Sequence, residues 1–241
     1  MLKIQSIFKT LKLFLIVVFL FSCETSECSF NCDIDFQSEE FEECIDLTYD
    51  CSFSGDYCLF GLKWGLNNEF HTSGENIEGP KTPGGIVTFS FQENAKLVSN
   101  HKQVDVPTLS FDLLPNCAKK KIEDAFEEWS TFGNIQFQKV SNDSNSDIKI
   151  YVADIYRAGL AFPNFNSANC QILTGQITFN PNDIHFPFDC DQFYLLALHE
   201  VGHCLGLGHS SEANVMGNIF DNFQGLQQGD IEGIVQIYDE N

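Results

Sequence analysis

Positive charge is scarce in this chain of 241 residues: 13 Lys and Arg stand against 34 Asp and Glu, for a formal net charge of −21. A surface of that sign repels phosphate backbones and excludes nucleic acid as a partner class. A long hydrophobic run is also lacking. The apolar stretch from Leu13 to Phe21 falls short of the about 20 residues that a membrane-spanning helix needs. No internal repeat is present, so repeat architectures are excluded as well.

What is there begins with a hydrophobic fraction of 43%, including 24 Phe. That content supports a packed core rather than disorder. The first 22 residues carry Lys3, Lys9 and Lys12, then the Leu13–Phe21 run, and read as a signal peptide. It ends Leu20-Phe21-Ser22-Cys23, which is similar to the lipobox of bacterial lipoproteins, with Cys23 as the acylated first residue of the mature chain. An exported chain meets an oxidising compartment, and its ten Cys then serve in disulfides. Cys204 is expected to be a small buried residue. Among the others, Cys170 is expected to pair with Cys190, because both flank a loop ahead of a helix.

Residues 23–80 form a Cys-rich, acidic region with little periodicity, a propeptide or linker, and residues 61–85 carry the Gly and Pro clusters of a loop. From Ile86 the pattern is regular. Ile86–Phe91, Ile135–Val140, Ile148–Val152 and Gln176–Asn180 read as strands. Ala118, Ile122, Ala125, Phe126 and Trp129 fall at helical spacing after Pro115. Further helices are expected over about Gln192–Leu205 and Gln228–Tyr238. One sheet and three helices in this order point to an α/β or α+β domain over residues 81–241.

The chemistry concentrates in His199-Glu200-Val201-Gly202-His203-Cys204-Leu205-Gly206-Leu207-Gly208-His209. Residues four apart share a helix face, so His199 and His203 can share a metal. Glu200 lies one step round the helix, in reach of a water beside that metal. Gly206 can adopt positive φ and end the helix, which lets His209 return as a third ligand. Three His leave a tetrahedral zinc one open position, the catalytic arrangement. His71, His101 and His185 lack such spacing and read as ordinary loop residues, while Phe193 and Tyr194 read as core.

With Met216 following, in Asn214-Val215-Met216-Gly217, the segment resembles the metzincin clan of zinc peptidases, and Met216 matches its Met-turn. Within the clan the chain is similar to the matrixins in Ser210, in Ile122 through Ser130, in Asp147–Ile150 and in Gly229–Ile234. The resemblance spans Ile86 to Asp239. It implies an α+β, zincin-like domain with a twisted, mainly parallel sheet, three helices and a Met-turn. It also implies one catalytic Zn2+ on His199, His203 and His209, with Gly206 and Met216 in support and Glu200 as general base for a zinc-activated water. The implied activity is zinc-dependent endopeptidase action on extracellular proteins or peptides. A hydrophobic residue would follow the scissile bond, in a pocket walled by Gly217–Leu226, and Leu160–Phe162 would form the edge strand of the cleft. The chain departs from the pattern in several places. Thr178 stands where matrixins carry a structural-zinc His, Asn180 and Asp183 give only a thin case for Ca2+, and no latency motif is recognisable. The expected setting is a monomer at the cell surface or outer membrane, touching the membrane only through the lipid on Cys23, or otherwise secreted. The competing reading is a non-catalytic surface lipoprotein that keeps a zinc-bearing fold for binding proteins.

Overall fold

The computed structural model describes residues 57–65, 85–100, 104–166, 170–183, 188–210, 214–217 and 223–238. The signal segment, Cys23, Cys28, Cys32, Cys44, Cys51, His71, His101 and His185 lie outside the described residues. In chain order come β1 (Ile86–Phe91), β2 (Leu97–Ser99), β3 (Asp105–Pro107), a 3-10 turn (Phe111–Leu113), α1 (Ala118–Phe132) and β4 (Gln136–Lys139). Then follow β5 (Ile148–Val152), β6 (Gly159–Asn166), β7 (Gln171–Phe179), α2 (Cys190–Cys204) and α3 (Gln228–Tyr238). The domain is α+β. Among the described residues no helix is long and apolar enough to cross a membrane.

The sheet runs β4-β1-β5-β7-β6. Four strands are parallel, and β6 runs antiparallel to β7 at the edge. In β5 the residues Ile148, Ile150 and Val152 are buried and those between are half-buried, the period-2 pattern of a strand covered on one face. Helix α1 turns Ala118, Ile122, Ala125, Phe126 and Trp129 inward, and Phe126 stacks on Phe89 of β1 at 4.1 Å between centroids. Helix α2 packs beside α1 and against β6 and β7. The Trp129 indole N–H donates to the Leu198 carbonyl at 3.0 Å, so a full-length aromatic is held at a fixed depth.

Several elements differ from the sequence expectation, each for a local reason. α2 begins at Cys190 rather than Gln192 because Asp189 caps it. Its carboxylate accepts from Asp191 N and Gln192 N at 2.9 Å, while the Gln192 side chain accepts from Asp189 N at 3.2 Å. This is a reciprocal capping box with Asp at the N-cap. β7 starts five residues before the expected Gln176. Gly175, which reads as a break in a strand, instead leaves room for the Cys204 side chain: a Cβ there would stand 3.0 Å from its Sγ. The short β2–β3 hairpin carries too few residues to show a pattern.

The expected Cys170–Cys190 disulfide is not formed. Cys190 bonds Cys117 instead, joining the start of α2 to the start of α1. The cap at Asp189 places Cys190 inside the first turn of α2, beside α1 and not beside the β6–β7 loop. Cys170 is disulfide-bonded, at the other end of β7. Cys204 is a free, fully buried thiol, as its position predicted.

Candidate metal centre

Helix α2 supplies His199, Glu200 and His203, all buried. Beyond it Gly206 takes φ +100°, which reverses the chain. That position admits no side chain, since a Cβ would meet the Leu62 carbonyl oxygen at 2.2 Å. The reversal brings His209 back to the helix. His199 Nε2 stands 3.0 Å from His209 Nε2 and 3.1 Å from His203 Nε2. A tetrahedral ion bound at about 2.0–2.1 Å would set such nitrogens about 3.3 Å apart. These three rings can therefore hold one metal ion among them.

The donor set fits a cation and little else. The Nδ1 of His199 lies 2.7 Å from the Val215 carbonyl, and that of His203 lies 2.9 Å from the Leu207 carbonyl. A carbonyl only accepts, so each Nδ1 carries the proton and each Nε2 presents a lone pair. Two buried lone pairs 3.1 Å apart repel unless a positive ion lies between them. Burial, with a lesser contribution from neighbouring rings or charge, lowers the His199 pKa to about 3 and that of His209 to about 4. That of His203 also lies well below the usual value, burial again being the main cause. The rings are thus held in the neutral, ligating form.

Burial acts oppositely on Glu200, raising its pKa to about 8, partly offset by the positive charge of Arg157. Its carboxylate lies against Gly159, the first residue of edge strand β6. A Cβ at Gly159 would be 2.2 Å from Glu200 Oε1. The carboxylate is therefore wedged between helix α2 and edge strand β6. Leu160 and Ala161, expected at the cleft edge, lie in β6 with Phe162.

Below the rings, Val215 and Met216 sit in a tight turn. Asp230, at the start of α3, is buried and accepts from Val215 N at 2.9 Å, Met216 N at 3.0 Å and Gln227 N at 2.8 Å. Met216 reaches under α2 because Gly202 has no side chain: a Cβ there would lie 2.3 Å from Met216 Sδ. Sequence reasoning passed over Asp230, Gly202 and Gly159. A buried acid three residues into a helix pattern, and glycines inside a helix and a strand, were the available signals. Glu128 was also missed. It accepts from Leu226 N at 2.7 Å and from the Tyr194 hydroxyl, and so fixes one end of the expected pocket wall. Tyr194 is half-buried and Phe193 fully buried. Thr178 is buried in the sheet. The Asn180 amide donates to Ile155 O at 2.5 Å and accepts from Asn182 N at 2.9 Å.

A mainly parallel sheet with an antiparallel edge, a helix bearing two His and a Glu, a third His beyond a glycine turn and a Met beneath together define the metzincin class. The chain belongs to the matrixin family: the family profile described as Matrixin matches residues 100–239. It is 30% identical over 152 residues to Metalloendoproteinase 1 of Glycine max, covering 53% of this chain and 48% of that one. It is 30% identical over 164 residues to Interstitial collagenase of Sus scrofa, covering 60% and 33%. To Hatching enzyme of Paracentrotus lividus it is 27% identical over 150 residues, covering 55% and 24%. The matched region thus spans half or less of the length of these relatives.

Proposed function

We propose that this chain is a zinc-dependent endopeptidase that hydrolyses extracellular proteins or peptides. The observation that carries the reading is the convergence of three neutral imidazole nitrogens beside a buried carboxylate at a sheet edge. His199, His203 and His209 hold the zinc, Gly206 turns the chain between them, and Met216 forms the floor. When bound, the zinc supplies a Lewis acid and lowers the pKa of a water towards about 7. Glu200 takes the proton from the attacking water and delivers it to the leaving amine. Strand β6 aligns the substrate as an added antiparallel strand, and a hydrophobic residue after the scissile bond enters beside Gly217 and Leu226.

The remaining parts of the reading follow from the sequence. Residues 81–241 carry the metal ligands and Glu200, and residues 57–65 pack into the same core. Residues 1–22 direct export, and a lipid on Cys23 holds the monomer at the cell surface. The Cys117–Cys190 disulfide supports an oxidising compartment. A protein that only binds others has no use for a carboxylate buried against the edge strand next in sequence to His199, so the non-catalytic reading is disfavoured.

The test is Glu200→Ala in the full chain. The variant should keep one zinc per molecule by elemental analysis and lose about 10³-fold or more of peptide-library hydrolysis. A strong chelator should abolish wild-type cleavage and added zinc should restore it. Cleavage that survives either treatment would point to another catalyst. Mass spectrometry of the exported protein reads the state of Cys23.

A further inference from the structure

We propose that residues 58–64, ahead of the sheet, form a strap that positions His203 and His209, making this segment part of the metal site. The inference rests on the zinc reading above and extends it to residues that bear no metal-binding group.

The third imidazole stands on irregular backbone, where no helix ladder fixes it. The carbonyls of that turn are met one after another. The Trp64 indole N–H donates to Cys204 O at 2.8 Å, and Phe60 N to Gly206 O at 2.7 Å. The Tyr238 hydroxyl donates to Leu205 O at 2.9 Å and accepts from Trp64 N at 3.1 Å. Gly208 N donates to Cys58 O at 2.8 Å, and Leu59 forms an antiparallel bridge with Leu207. That bridge matters chemically. The Leu207 carbonyl is the group that fixes the His203 tautomer, and the strap holds the residues on both sides of Leu207. The Phe60 ring also stacks on His203, at 5.8 Å between centroids and 16° between planes.

The strap is itself anchored at both ends. Cys58 is disulfide-bonded. At the far end Lys63 N donates to Cys170 O at 3.3 Å, Ile172 N donates to Lys63 O at 2.9 Å, and Lys63 pairs in parallel with Gln171 of β7. Leu62 and Trp64 are buried between these anchors. The segment therefore ties the turn that carries the ligands to the sheet, and Gly206 is closed to any side chain because the strap passes over it. Partners of this kind, one bond removed from a ligand, set its orientation and the hold on the metal.

Two full-chain variants test this with little change of volume. Trp64→Phe removes the indole donor, and Phe60→Leu removes the ring stacked on His203. Each should speed zinc release to a chromogenic chelator roughly tenfold or more and change the visible spectrum of the cobalt-substituted protein. The control is Phe111→Leu, which thins the core against Phe91 of β1. It should lower the melting temperature without altering zinc release or the cobalt spectrum. Amide exchange of residues 205–208 in the metal-free chain should be faster in the two strap variants than in the control. Release rates and spectra that match wild type, or that change as much in Phe111→Leu, would overturn the proposal. If the wild-type chain takes up no zinc, the peptidase reading fails, and the strap is then judged by amide exchange alone: equal exchange in all variants would overturn it.

Discussion

The two regions that meet at the candidate metal site are built on different physics. Above it, the sheet with α1 and α2 is a hydrophobic structure whose residues repeat at strand and helix periods. Below it, residues 57–65, 205–210, 214–217 and 223–227 run on irregular backbone held by single polar contacts and by glycines that leave room, with α3 packed beneath. Asp230 is typical: one carboxylate anchors three backbone N–H groups. The upper region should tolerate loss of one contact as a loss of stability alone. The lower region should convert such a loss into misplacement of the ligands.

The largest effect that separates the regions is expected from Ile150→Ala in the middle of β5. A buried Ile truncated to Ala costs about 4 kcal/mol, read by denaturant unfolding, with zinc release unchanged. Asp230→Ala should cost about 3 kcal/mol, from backbone N–H groups left unpaired in the interior, but with faster zinc release as well. Equal release rates in the two variants would erase the distinction. Gly159→Ala sharpens it at the boundary. The new methyl must displace Glu200, so kcat/KM should fall about a hundredfold, equivalent to about 2.7 kcal/mol, while the chain still binds one zinc. Unaltered turnover would mean that the carboxylate has another place to stand.

The smallest effect is the pH dependence of the metal-free chain. Glu200, raised to about 8 in the folded state, binds a proton there before it does so in the unfolded chain. Its contribution is complete below the unfolded value and is lost as the pH rises through about 8. The three imidazoles act the other way. Their lowered pKa values make stability fall as the pH drops below about 6.5, where only the unfolded chain takes up protons. Thermal unfolding in chelator should therefore show a maximum near pH 6.5, and Glu200→Gln should flatten the side above it.

The same division governs what was legible in the sequence. Ile86–Phe91, Ile148–Val152 and the inward face of α1 were readable because burial on one face imposes a period. The convergence of His199, His203 and His209 was readable because four residues make about one helical turn and a glycine must follow. Residues 57–65 were not. Leu62 and Trp64 are buried through contacts with residues about 140 or more positions away, and such contacts leave no local pattern beside Gly61 and Gly65. Asp230 carried no sign of its task either, since its partners are backbone groups and any sequence supplies those. The disulfide was misassigned because cystine pairing depends on where the chain returns, not on which cysteines flank a loop.

The Cys117–Cys190 bond encloses all of α1, β4, β5, β6 and β7 within a span of 73 residues. Closing a loop of that size removes about 4 kcal/mol of entropy from the unfolded chain. Oxidation and assembly of the upper half are therefore one coupled event, possible only once residue 190 has emerged to meet Cys117. Material made under reducing conditions would lack this restraint, so the covalent framework demands an oxidising environment during production.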